Sequence, residues 1–282
     1  MAKRYAGMLF LMLAILTQVP LSANRIIYSA VPDPLPPNLP SLGYEATQTA
    51  EFGGLVGVDR PFALADATVA MSDWALASDY PGLSPSGWSL PITLNLYNID
   101  SSSGTPQPGS VIASVTQTVS IPWRPPADPT CPGQTAWRAG DGNCYNGLAF
   151  PIAFDLGGVT VPTEFIYGVA FNTQNWGYNP TGLPGPYNSL NFALTTAPPT
   201  AGTNPLPGTA YWNTRNAGDY ADGGAGGTGT FRQDSKWSPY SGSIEFSADM
   251  PEPGSAGLAL AGGLMLLLGS IRFRAAARRA SR

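Results

Sequence analysis

The chain has 282 residues, 43% of them hydrophobic, with a net charge of −4, 33 Gly, 29 Pro and no histidine. That is room for one large all-β domain or two small ones, with 7 Trp, 12 Tyr and 11 Phe to build a core. Without imidazole there is no Ser-His-Asp or Cys-His catalysis and no histidine zinc site, and two cysteines are too few for a thiolate-only zinc site.

In chain order, the first element is an address. Lys3 and Arg4 precede an apolar run from Ala6 to Leu16, and Pro20, Ser22 and Ala23 follow at the expected cut. Residues 1–23 therefore read as a secretory signal peptide handed to the Sec export machinery, its apolar run being short for a permanent span. Residues 24–49 read as a Pro-rich linker or edge segment, with five prolines between Ile26 and Ser41 and no periodicity.

Residues 50–248 carry the predicted strands, at 67–76, 89–99, 110–123, 148–156, 164–174, 189–197, 209–215 and 242–248. In the second, Ile92, Leu94 and Leu96 share one face while Thr93, Asn95 and Tyr97 share the other. In the third, Val111, Ala113, Val115, Val119 and Ile121 alternate with Ser114, Thr116, Thr118 and Ser120, which predicts one buried and one wet face. The stretch EFIYGVAF is apolar on both faces and reads as a central strand. Such short strands, joined by Gly/Pro turns, predict a jelly-roll-like antiparallel β-sandwich without internal repeats or amphipathic helices.

After the body come Met250-Pro251-Glu252-Pro253, an uncharged run over residues 254–271 and a basic tail over residues 272–282. Eighteen uncharged residues suffice to cross about 30 Å of hydrocarbon as a helix. Arg272, Arg274, Arg278, Arg279 and Arg282 are expected to hold that tail in the cytoplasm, so both ends predict that the body lies across the membrane. Pro251 and Pro253 keep the backbone extended just outside the membrane. Removing the terminal basic residues leaves seven cations against 17 acids between Asp33 and Asp249, a body near −10 that is no nucleic-acid partner.

In its order of Pro-Glu-Pro, apolar helix and arginine cluster, the segment 250–282 resembles the PEP-CTERM sorting signal of Gram-negative bacteria. The resemblance implies a substrate of exosortase, a membrane-embedded cysteine protease, with Pro251, Glu252 and Pro253 as the sorting motif. It further implies transient anchoring in the inner membrane, then transfer to the cell surface or extracellular matrix of a biofilm- and exopolysaccharide-forming bacterium. A permanently membrane-tethered periplasmic domain is the alternative fate. The run from IPWRPPADPTC through WRAGDGNCYNGLAF also resembles a domain recurring in exported bacterial surface proteins, to which no activity attaches.

Several residues carry candidate chemistry. Cys131 and Cys144, in an exported chain, read as a disulfide, with free thiols or a metal pair as the alternatives. Trp176, Tyr178 and Tyr187 lie in Gly/Pro-rich sequence where exposed rings could stack on extracellular polysaccharide, whereas Trp74, Trp88 and Trp212 read as core. No cofactor is expected. Calcium is the one ion considered, through Asp141, Gly142, Asn143, Asp219, Asp222 and Asp234, set against solvated loop acids. The Gly-rich run at 222–230 lacks a phosphate-loop lysine and reads as a loop. The expected role is structural or adhesive rather than enzymatic, the enzymatic alternative being a carbohydrate-active hydrolase with paired carboxylates.

Overall fold

A computed structural model describes residues 22–44, 49, 51–171, 190–213, 231–251 and 263. Ile26–Ala248 forms one compact unit, and Met1–Arg25 with Asp249–Arg282 forms another, of which only residues 22–25, 249–251 and 263 are described.

The strands are β1 (Ser22–Ser29), β2 (Ser41–Gly43), β3 (Glu51–Gly57), β4 (Phe62–Asp73) and β5 (Trp88–Asp100). Then come β6 (Gln107–Ile121), β7 (Trp137–Arg138), β8 (Cys144–Tyr145), β9 (Leu148–Val161) and β10 (Glu164–Ala170). The last are β11 (Leu190–Thr195), β12 (Thr209–Asn213), β13 (Phe231–Ser235), β14 (Ser241–Gly242) and β15 (Ile244–Pro251). They make an antiparallel β-sandwich. Sheet A runs β1-β15-β4-β11-β14, with β2 beside β11 and β9 along the other side of β4; sheet B runs β13-β12-β3-β10-β5-β6. A small hairpin, β7-β8, stands apart.

Aromatic rings from both sheets interdigitate between them. Phe246 of sheet A meets Phe165 and Tyr167 of sheet B at 5.3 and 6.0 Å between centroids. Phe192 of sheet A meets Tyr167 and Phe52 at 6.4 Å, and Tyr44 closes the row against Phe52 at 4.9 Å. Such stacked, tilted and edge-on pairs add about 0.5–1.5 kcal/mol each beyond area burial. Period-2 patterning feeds this core from β9, where Phe150, Ile152, Phe154 and Leu156 are buried and Pro151, Ala153 and Asp155 are exposed.

The outer faces carry smaller clusters. On sheet B, Leu55, Ile166 and Tyr211 pack together under Tyr97, Ile99 and Leu206. On sheet A, Leu39 packs on Ala70 and Ala193. The stretch expected as a linker or edge segment thus supplies the edge strand β1, strand β2 and a cover over sheet A, so the compact unit starts at Ile26 rather than near residue 50. Its prolines forbid a ladder hydrogen bond, not a packed surface.

Strand β10 lies between β3 and β5 with Phe165 through Val169 buried, as its two apolar faces predict. Its neighbour β3 is absent from the sequence-based strands, since the adjacent Gly53 and Gly54 deprive EFGGLVG of strand-forming side chains. Here Gly53 and Gly54 serve close approach. Gly53 pairs with Gly168, and a Cβ on it would overlap the Tyr167 carbonyl.

Two other expectations are corrected. Val111 is 57% exposed because a bulge opposite Leu96 and Tyr97 turns it away from the face that Ala113 and Val115 share. The rest of that face is half-buried apart from Ile121, since β6 is an edge strand. Of the tryptophans expected in the core, Trp88 is buried, Trp212 is half-buried and Trp74 is 40% exposed. Trp74 sits just past the end of β4, its indole N–H donating to the Ser72 hydroxyl at 3.1 Å. Among the described residues no helix is long and apolar enough to cross a membrane. The runs expected as signal peptide and transmembrane helix lie, but for residues 22–23 and 263, outside the described residues.

Gly53→Ala should destabilise the fold by at least about 3 kcal/mol in chemical denaturation. Gly82→Ala, with nothing within 4 Å of its added Cβ, should stay within about 0.5 kcal/mol of the parent. Equal stability of the two variants would remove the close-approach role given to Gly53.

Candidate functional site

The outer face of sheet B carries a hydrogen-bonded polar row across three strands. Glu51 opens β3, is 5% exposed, and lies over Gly168, where any side chain would collide with its carboxylate. Its Oε1 accepts from the Asn95 side-chain amide at 2.9 Å and from the Tyr97 hydroxyl at 2.8 Å. The Ser114 hydroxyl on β6 donates to Asn95 Oδ1 at 2.7 Å, and the Thr93 and Thr116 hydroxyls stand 2.7 Å apart. Burial raises the Glu51 carboxyl above its ordinary value, against the lowering hydrogen bonds from Asn95 and Tyr97. The row ends in exposed hydroxyls at Ser114 and Thr116, which can meet a hydroxyl-rich ligand but supply no nucleophile with an attached base.

A second cluster lies where β4 ends and β6 hands over to β9. Asp73 is fully buried, its Oδ1 accepting from the Ala75 N–H at 3.4 Å. Oδ2 meets no donor within hydrogen-bond geometry. Burial therefore dominates and pushes the Asp73 carboxyl up to about 8, against the N–H groups of Ala75, Trp88 and Trp74 and the charge of Arg124. Arg124 donates to the Trp74 carbonyl and to the Thr135 carbonyl, each at 2.9 Å, and so ties the end of β4 to the following loop. Trp123 stacks on Tyr80 at 5.5 Å and donates to the Ser84 carbonyl at 2.8 Å.

That loop is a flap closed by the Cys131–Cys144 disulfide, Cα–Cα 5.9 Å. Inside it Arg138 pairs with Asp128 at 3.2 Å and donates to the Gly142 carbonyl at 2.6 Å. Trp137 donates to the Gly147 carbonyl at 2.8 Å, and Gly147 lacks the side chain that would strike Trp74 and Ser72. Of the conspicuous residues of this stretch, Arg124, Cys131, Trp137, Cys144 and Gly147 thus hold the flap together.

The other candidates fall as follows. Asp141 turns onto its own loop, accepting from the Asn143 N–H at 2.9 Å and the Tyr145 hydroxyl at 2.6 Å, and the Tyr145 bond leads in holding its carboxyl below the ordinary value. Asp234 accepts from the Trp237 indole at 3.3 Å. Among the described residues no group of three or more His, Cys, Asp and Glu stands ready for a metal. Asp219, Asp222, Trp176, Tyr178, Tyr187, Glu252 and Pro253 lie outside the described residues, while Pro251 ends β15. Glu51 and Asp73, the two buried carboxylates among the described residues, belong to different sheets and have separate partners.

Glu51 was not singled out by sequence because its partners are 44 and 46 residues away. The one signal was the alternation that set Thr93, Asn95 and Tyr97 on a common face. Comparison of the chain with protein-family models, with curated proteins and with solved structures finds no match.

Two outcomes follow from this geometry. Replacing both Cys131 and Cys144 by Ser should cost about 3 kcal/mol in chemical denaturation, and no measurable loss would mean that the 13-residue span adds nothing. Asp73 has its folded value above the ordinary 3.8, so its contribution to stability is full below about pH 4 and is lost as the pH rises through about 8. Asp73→Asn should therefore flatten the fall of unfolding free energy between about pH 4 and pH 8, by up to about 1.4 kcal/mol per pH unit, and the fall of Tm with it. Parallel Tm–pH curves for wild type and variant would exclude a buried, neutral-favouring Asp73.

Proposed function

We propose that this chain is an exported cell-surface or matrix protein, processed by exosortase at Pro251-Glu252-Pro253, whose role is structural or adhesive rather than catalytic. The observation that carries it is the Cys131–Cys144 disulfide, a bond that persists in oxidising compartments and is rare in the cytosol. The charge and hydropathy of the two ends agree with that compartment, and Trp176, Tyr178 and Tyr187 supply rings for extracellular polysaccharide.

The body is a jelly roll in this proposal. Eight strands taken in chain order (β1, β3, β4, β5, β6, β9, β10, β15) support it. In sheet A they lie as first, eighth, third and sixth, and in sheet B as second, seventh, fourth and fifth. Two Greek keys wound together produce that interleaving. Strands β11, β12, β13 and β14 are then an insertion between the seventh and the eighth.

Intact mass of the protein recovered from its own host tests the proposal. Expected are the loss of residues 1–23, the loss of the segment beyond the Pro-Glu-Pro, and a mass two hydrogens below the dithiol form. A full-length cytosolic chain with two free thiols would overturn it. A chain with a cleaved leader and an intact C-terminus would leave only the membrane-tethered alternative.

A further inference from the structure

Three clefts adjoin at one end of the sandwich. The largest, about 460 Å³, lies between the loop after β11 and the loop before β14, against Thr196, Asn204, Pro207, Tyr240 and Ser241. Tyr240 also forms a wall of a second cleft of about 380 Å³, reached by Leu42, Lys236 and Trp237. Ala197 and Pro198 are shared with a third, of about 200 Å³, beside Ile26, Pro32 and Glu245. Shared walls make the three one groove. The two larger clefts fall in the size range of ligand sites, about 300–1,000 Å³.

The walls are built in advance. Thr203 and Gly57 exchange backbone hydrogen bonds at 2.8 and 2.9 Å, and the Thr200 N–H donates to the Ser29 carbonyl at 2.8 Å, which ties the first loop to β3 and β1. The Trp237 N–H donates to the Gly208 carbonyl at 2.9 Å and joins the two loops. Gly208, at φ +77°, permits that approach, since an added Cβ would come 2.9 Å from Ser238. Lys236 is held at φ +77° on the groove's flank, a left-handed conformation that costs a lysine about 1 kcal/mol or more and is retained where the surroundings impose it. Of the five large hydrophobic residues exposed among those described, two, Ile26 and Tyr240, face this groove.

We propose that this groove binds a neutral polysaccharide chain, with Tyr240 as its stacking platform. The central cleft has no charged side chain, while Lys236 stands in the second cleft and Asp33 and Glu245 in the third, so an anionic polymer laid along the groove would lose hydration at its centre and meet two carboxylates against one cation. Alternating apolar and hydroxyl-bearing walls match a pyranose, which presents C–H faces to a ring and hydroxyls to its rim. Clefts set side by side along shared walls suit a chain rather than a single sugar. The assignment rests on the surface reading above for its class of ligand, and names residues other than Trp176, Tyr178 and Tyr187.

The test is binding of the full-length chain in detergent to cellohexaose, mannohexaose and dextran, with alginate as the anionic comparator. Tyr240→Ala should weaken binding of the preferred neutral glycan about tenfold, while Tyr240→Phe, which keeps the ring, should stay within about twofold. Ala197→Trp, at an exposed wall position between two clefts, should obstruct the groove to a similar extent without lowering Tm. If the wild type binds a neutral glycan and both groove variants bind it equally, the groove assignment fails and the surface reading stands. A loss confined to a Trp176, Tyr178 and Tyr187 triple alanine variant has the same consequence. If the wild type binds only alginate, the neutral-chain assignment fails. If it binds no polysaccharide at all, the glycan part of the surface reading fails with it.

Discussion

The sandwich depends on the seating of one side chain, Tyr167. Its ring leaves β10 in sheet B and reaches Phe192 and Phe246 of sheet A, and its hydroxyl end occupies a slot walled by Gly54 and Gly242. A Cβ at Gly54 would lie 2.9 Å from that hydroxyl, and one at Gly242 would overlap it. The two glycines come from different sheets and lie far apart in sequence, so the slot exists only when both sheets are in register. A ring filling a space of fixed shape is how close packing turns a general preference for burial into one arrangement.

From that centre the chemistry sorts by face and by end. The inner faces are aromatic and dry. The outer face of sheet B, where Glu51 crosses Gly168 to Asn95 and Tyr97, is a polar row whose carboxyl is half committed to its neighbours and half penalised by burial. Arg124 and the Cys131–Cys144 flap close the connection between β6 and β9. The groove around Tyr240 is different in kind: its walls are pinned by backbone hydrogen bonds, yet its ring stays 36% exposed. Rigid walls with an unspent aromatic face suit binding, because little order has to be imposed when a ligand arrives.

Strands with clean alternation were legible. In β5 and β9, and in most of β6, the residue types disclose a two-faced environment because a pleated strand repeats every second residue. Strand β3 was not, since two adjacent glycines carry the same letters whether they make a turn or admit a neighbouring ring. The exposure of Val111 and Trp74 was likewise hidden, being set by a bulge and by a strand end rather than by residue type. The Tyr240 groove escaped sequence reading because its residues are ordinary turn formers drawn from three separate stretches.

Taken alone, the sequence determined the all-β antiparallel class, the exclusion of histidine chemistry and the pairing partners available to two cysteines, since each follows from composition or from a local period. Only the tertiary structure decided which glycines are close-approach points, that the Pro-rich stretch after Asn24 covers sheet A, that Glu51 is buried against Asn95 and Tyr97, and that the loop after β11 meets the loop before β14 at Tyr240. Those are contacts between residues tens to hundreds of positions apart. Their energy depends on shape in three dimensions, which no local pattern encodes.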